Sequence, residues 1–223
     1  MMTFEVRGKM LSKKNRMMIT VTSLFAFIAL ILGVFISQHV SLNRGIDVSR
    51  FNGTLLEKPR EVRPFVLTGS DNAPFNNASL QGHWTMVFFG FTNCGSICPT
   101  TMAELGKMYR LLEEKGAKAL PHVVMISVDP ERDSLDKLDH YVKAFDPHFY
   151  GARGDERSIA MMTQEMGIVY TKIALQGHTD PQNYNIEHTG TVMLFNPMGK
   201  LSAFFTAPHQ ASLLAKDYLS LVS

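Results

Sequence analysis

The chain has 223 residues, 45% hydrophobic and 19% charged, with 16 Gly and 10 Pro, which excludes collagen-like, low-complexity and wholly disordered classes. Its formal net charge is +2, but residues 1–16 carry five basic groups against Glu5, whereas residues 61–223 carry 13 basic and 17 acidic ones. A basic nucleic-acid-binding domain is therefore excluded, and two cysteines are too few for a disulfide-stapled scaffold or a four-Cys zinc site.

After the basic segment 1–16, residues 17–37 run for 21 positions without a charge. A helix of that length spans about 30 Å, the hydrocarbon thickness of a bilayer. The run exceeds the apolar region of a signal peptide, and Ser37-Gln38-His39-Val40 lacks a small-residue cleavage pattern. The expectation is an uncleaved, single-pass transmembrane anchor. The positive-inside rule keeps its N-terminus in the cytoplasm and sends the bulk of the chain to the periplasm or an equivalent exterior compartment. Residues 38–60, with Gly45, Gly53, Pro59 and little periodicity, read as a tether. One domain over 61–223 follows.

Within that domain, residues 84–91 (WTMVFFGF) form a continuous apolar run suited to a strand buried on both faces. Met102, Leu105, Met108 and Leu112 then mark a helix that Gly116 closes. Residues 123–128 predict a second buried strand, and Leu135, Leu138, Tyr141, Val142 and Phe145 a second helix started by Ser134. A third helix is expected over 155–166 with Ile159 and Met162 facing inward, then an edge strand over 168–173. Residues 191–195 and 201–205 flank Asn196-Pro197-Met198-Gly199 as a hairpin, and 210–222 are helical in pattern. This order predicts an α/β sandwich around a central mixed sheet.

Both cysteines fall in Cys94-Gly95-Ser96-Ile97-Cys98, followed by Pro99, where a buried strand hands over to a helix. Pro99 suits the first helical position. Cys98 is then near the N-cap, where unpaired backbone N–H groups favour its thiolate. Such a pair can close a disulfide or bind one metal ion through both sulfurs. Two protein ligands seldom make a tight, selective metal site, so a third is expected.

The eight histidines are His39, His83, His122, His140, His148, His178, His188 and His209. His39 is in the tether. His83 and His122 open strands at the far end of the sheet, and His140 and His148 lie in or after a helix. His178 and His188 precede the strand at 191, and His188, fixed beside that strand, is the better candidate. Met161, Met162 and Met166 could offer soft ligands, but Met at helical spacing is usually core. Turn and helix-start chemistry accounts for Asp129-Pro130-Glu131-Arg132-Asp133 more simply than a hard-cation site does.

Several blocks resemble the Sco/SenC family of membrane-anchored copper proteins. They are Phe89-Gly90-Phe91-Thr92 leading into Cys94-x-x-x-Cys98-Pro99, then residues 126–133 (ISVDPERD), Tyr141-Val142-Lys143-Ala144-Phe145, and His188-Thr189. The resemblance implies a thioredoxin-like fold after one N-terminal transmembrane helix in the inner membrane. It also implies one copper ion per chain, Cu(I) or Cu(II), on Cys94, Cys98 and His188, with Glu187 the nearest group to orient the ring. The family supplies copper to the binuclear copper site of cytochrome c oxidase subunit II, or keeps its cysteines reduced, which further implies an upstream copper donor or thiol reductant. An imidazole where thioredoxins keep a cis-proline favours metal binding.

Two departures stand out. The acidic residue the family often places between the cysteines is absent here, and Glu187 replaces its usual Asp. The alternatives are a thiol-disulfide oxidoreductase or thiol peroxidase using the redox-active pair Cys94 and Cys98, and a copper or redox sensor.

Overall fold

The computed structural model describes Met18 and residues 22–33, 51–174 and 184–222. The chain divides into two compact units, Met1–Ile46 and Asp47–Ser223. In the first, residues 22–33 form helix α1, whose apolar side chains, Phe25 and Leu30 among them, are exposed. The basic segment 1–16, the other residues of the expected anchor except Met18, and residues 38–50 of the expected tether lie outside the described residues. Among the described residues, no helix is long and apolar enough to cross a membrane.

The second unit begins with β1 (Thr54–Arg60), β2 (Val66–Gly69), β3 (Pro74–Asn76) and a 3-10 turn (Asn77–Leu80). Then come β4 (Thr85–Gly90), α2 (Ile97–Glu114), β5 (His122–Ser127), α3 (Leu135–Lys143), β6 (Tyr150–Arg153) and α4 (Glu156–Met166). The chain ends with β7 (Tyr170–Ala174), β8 (Tyr184–His188), β9 (Val192–Phe195), β10 (Leu201–Phe205) and α5 (Ala211–Val222). Eight strands form one sheet in the order β1-β10-β9-β4-β5-β6-β2-β3. Only the β4–β5 and β5–β6 pairs are parallel, so the sheet is mixed and mostly antiparallel.

β4 sits between β5 and β9, and all six of its residues are buried, as its unbroken apolar run requires. Right-handed crossovers place α2 and α3 on one face of the sheet. There α2 also packs on α5. Gly106 of α2 lies so close to the Phe145 carbonyl after α3 that a Cβ would approach it to 2.9 Å. The caps follow the sequence: Ser134 and Asp155 accept from the Lys137 and Ser158 N–H groups, and Gly167 ends α4 at φ 71°.

Two expectations need correction. Residues 54–60, read as the end of the tether, form β1 and pair with β10. Their side chains are mostly exposed and include Pro59, so this edge strand lacks an apolar signature. The strand expected over 168–173 is not an edge of the main sheet. It is β7, which pairs only with β8 in a separate two-stranded sheet. β8 itself occupies a stretch read as loop, because its alternating Tyr184 and Ile186 are its only buried side chains.

Candidate metal centre

The site is assembled from three segments. β4 ends at Gly90, and the chain turns through Phe91, Thr92 and Asn93 to Cys94, whose N–H donates to the Phe91 carbonyl at 3.3 Å. α2 starts at Ile97, so Cys98 lies in its first turn and Pro99 at the third helical position rather than the expected first. Proline remains unstrained there because the first-turn N–H groups have no intrahelical acceptor. β8 ends on His188. The Cys98 sulfur lies 3.1 Å from His188 Nε2, and the ligand atoms of Cys94, Cys98 and His188 fall within 4.8 Å of one another. Both thiols are free, Cys98 buried and Cys94 half-buried.

Close packing sets this geometry. A Cβ at Gly90 would come within 3.1 Å of the Cys98 sulfur and 2.7 Å of the Phe88 ring, so the strand end must be glycine for the helix to settle. Gly190, two residues after His188, allows Ile97 an equally close approach. The Phe88 and Phe91 rings each lie 5.8 Å from the imidazole, giving it an apolar wall.

The sulfurs are electrostatically unequal. Cys98 donates to Cys94, and, against the opposing effect of burial, a hydrogen bond from His188 and the backbone N–H groups of Ser96 and Cys98, the last at 3.5 Å, help to pull the Cys94 thiol down from 9.0 to about 3. The same thiol–thiol bond, with burial, pushes Cys98 up. This corrects the expectation that the helix N-terminus favours a Cys98 thiolate. The sulfur held over the free N–H groups belongs to Cys94, which precedes the helix, while Cys98 is turned into the core.

His188 Nδ1 lies 3.2 Å from the Thr189 carbonyl. A carbonyl only accepts, so Nδ1 carries a proton, and Nε2 is the ring nitrogen that faces the sulfurs, where a metal ligand is needed. Glu187, the expected orienting group, points away, because adjacent residues of a strand face opposite sides.

The Asp129–Asp133 turn clamps the site. Asp133 is fully buried and accepts from the Thr92 N–H at 3.1 Å, the Thr92 hydroxyl at 2.5 Å and the Ser127 hydroxyl at 2.6 Å, which ties the cysteine loop to the end of β5. Arg132 pairs with buried Asp129 at 2.5 Å, donates to the Tyr184 carbonyl at 2.8 Å and stacks on the Tyr184 ring at 3.7 Å. That fastens the strand bearing His188. Beyond the turn chemistry expected of it, this block thus has a second purpose, for which the only sign in the sequence is an arginine between two aspartates.

The other candidates lie elsewhere. His83 and His122 stack at 3.7 Å, at the start of β5 and so at its end remote from Ser127. His140 and His148 pair with Asp136 and Asp146, and His209 Nε2 donates to the Gly190 carbonyl at 2.6 Å. His39 and His178 lie outside the described residues. Met162 and Met166 are buried in the core, whereas Met161 is exposed. Among the described residues, Cys94, Cys98 and His188 are the one group of three or more such side chains able to hold a metal ion. Two thiolates and an imidazole form a soft donor set that suits Cu(I) and accepts Cu(II).

Comparison with known proteins agrees with this chemistry. The SCO1/SenC family model matches residues 53–223. An SCO2-like protein of Rickettsia prowazekii is 28% identical over 193 residues, covering 85% of this chain and 92% of the relative. The crystal structure of Arabidopsis thaliana ScoI with copper bound has a TM-score of 0.64 at 28% identity, covering 70% of this chain and 94% of that one. Apo Sco1 from Thermus thermophilus gives 0.64 at 32% identity, covering 77% and 95%.

Proposed function

Because the chain belongs to the SCO1/SenC family, we propose that it is a membrane-anchored copper metallochaperone serving the binuclear copper site of cytochrome c oxidase subunit II. The observation that carries this reading is the convergence of Cys94, Cys98 and His188 within 4.8 Å, with Nε2 presented to the sulfurs. In this reading the three side chains hold one copper ion as cargo. A three-ligand site leaves a coordination position for a sulfur or nitrogen of the acceptor, and the half-exposed Cys94 is the side from which the acceptor enters. The Thr189 carbonyl fixes the imidazole, and the Asp129–Asp133 turn keeps the cysteine loop and the histidine strand in register.

The uncharged run of residues 17–37 behind a basic segment supports an inner-membrane anchor with the second unit in the periplasm. The low-pKa Cys94 thiol favours a second role in the same place. Cys94 attacks an acceptor disulfide, Cys98 resolves the mixed disulfide, and two electrons pass to the acceptor as this chain closes its own disulfide.

Mixing the Cu(I)-loaded chain with the metal-free, reduced copper domain of subunit II tests the proposal. The expected result is stoichiometric movement of copper to the acceptor. Retention of copper on this chain, with rapid reduction of an oxidised acceptor, would leave thiol exchange as the function.

A further inference from the structure

β7 and β8 form a sheet of their own, and a two-stranded sheet is at best marginally stable by itself. The placement of His188 therefore depends on what holds β8 at its two ends. At the start of the strand, Arg132 donates to the Tyr184 carbonyl at 2.8 Å. Beyond its last residue, His209 Nε2 lies 2.6 Å from the carbonyl of Gly190, two residues after His188. A carbonyl only accepts, so Nε2 is the nitrogen that carries the proton.

The segment bearing His209 is itself fixed to the helix of Cys98. It joins β10 to α5, and the N–H of Ala211, the first residue of α5, donates to Glu104 Oε2 of α2 at 2.8 Å. Gly190 is wedged into the same corner. A Cβ there would collide with the Ile97 side chain at the start of α2 and come within 3.2 Å of the Ala207 Cβ. His209 thereby links the segment of His188 to the helix of Cys98. Burial, against the Gly190 bond and Glu104, pushes its imidazole below the ordinary value, so the ring is neutral and its single proton is the one given to Gly190. Loss of that donor would free the turn after His188, whose Nε2 lies 3.1 Å from the Cys98 sulfur.

We propose that His209 is a positioning residue for the metal centre, holding the His188 ring against the cysteine sulfurs through the Gly190 carbonyl. The inference rests on the copper reading above. Partners that orient a ligand without touching the metal contribute to its affinity and to its electronic signature.

The test uses the full-length chain, wild type, His209→Gln and His209→Asn. Both amides are neutral donors, but only the longer one carries its N–H to the reach of Nε2. Cu(I) affinity, measured by competition with a chelator, should fall roughly tenfold in His209→Asn and return close to wild type in His209→Gln. With Cu(II) bound, the thiolate charge-transfer band should move in the first variant and not in the second. In the metal-free chain, the NMR signals of the His188 ring should follow the same pattern. The metal-free wild type should also show a slowly exchanging His209 Nε2 proton, a readout that needs no variant. Wild-type affinity, band and ring signals in His209→Asn, equal losses in both variants, or a rapidly exchanging Nε2 proton would each overturn the proposal and leave the copper site standing. A wild-type chain that binds no copper overturns both.

Discussion

Of the two thiols, Cys94 is the one that carries negative charge at neutral pH, and Cys98 holds the proton that stabilises it. This division has a consequence for stability. A thiol whose pKa is lower folded than unfolded stabilises the fold fully above the unfolded value, and that contribution is lost as pH falls toward the folded one. For Cys94 the window runs from 9.0 down to about 3. Above it the sign reverses, because Cys98 keeps its proton when the unfolded chain releases both. The reduced chain should therefore become less stable between about pH 8 and about pH 5, with a flatter profile in Cys94→Ser, as read by urea denaturation. Alkylation at about pH 6 followed by mass spectrometry should label Cys94 and spare Cys98; equal labelling of the two would contradict the assignment.

At the level of elements, the β5–α3 turn links the cysteine loop to the strand that carries His188. Asp133→Ala would leave the Thr92 and Ser127 donors buried without an acceptor, at a cost of about 3 kcal/mol. Chemical denaturation of the reduced chain checks this, and a loss below about 1 kcal/mol would mean the carboxylate is not the clamp described. The cysteine half of the site was legible in the sequence because a buried apolar strand followed by Cys-x-x-x-Cys-Pro is a local pattern. The histidine half was less so. His188 sits on β8, whose exposed Asn185 and Glu187 disguise it as loop, and only the pairing with β7 holds it in place. The Glu187 expectation failed for the same reason: without the strand, its alternation away from His188 could not be read. Tyr184 and Arg132 depend on contacts across more than 50 positions of sequence, which no spacing rule reveals.

For the whole molecule, the α/β order, the mixed sheet and the Ser134 cap of α3 followed from periodicity and a capping residue, while β1 to β3 were missed as short or exposed edge segments. The proposed anchor rests on the length and neutrality of residues 17–37. Deleting that segment, with a signal peptide supplied for export, should move the chain from the membrane to the soluble periplasmic fraction; continued sedimentation with membranes would point to another means of attachment. The central claim is that one copper ion is held by two thiolates and one imidazole brought together from α2, its preceding loop and β8. Copper titration of the reduced full-length chain beside His188→Ala tests it most directly. The account predicts one copper per chain with a thiolate charge-transfer band in the wild type, and loss of tight binding in a variant that stays folded. Equal binding by the two proteins, or none by either, would contradict it.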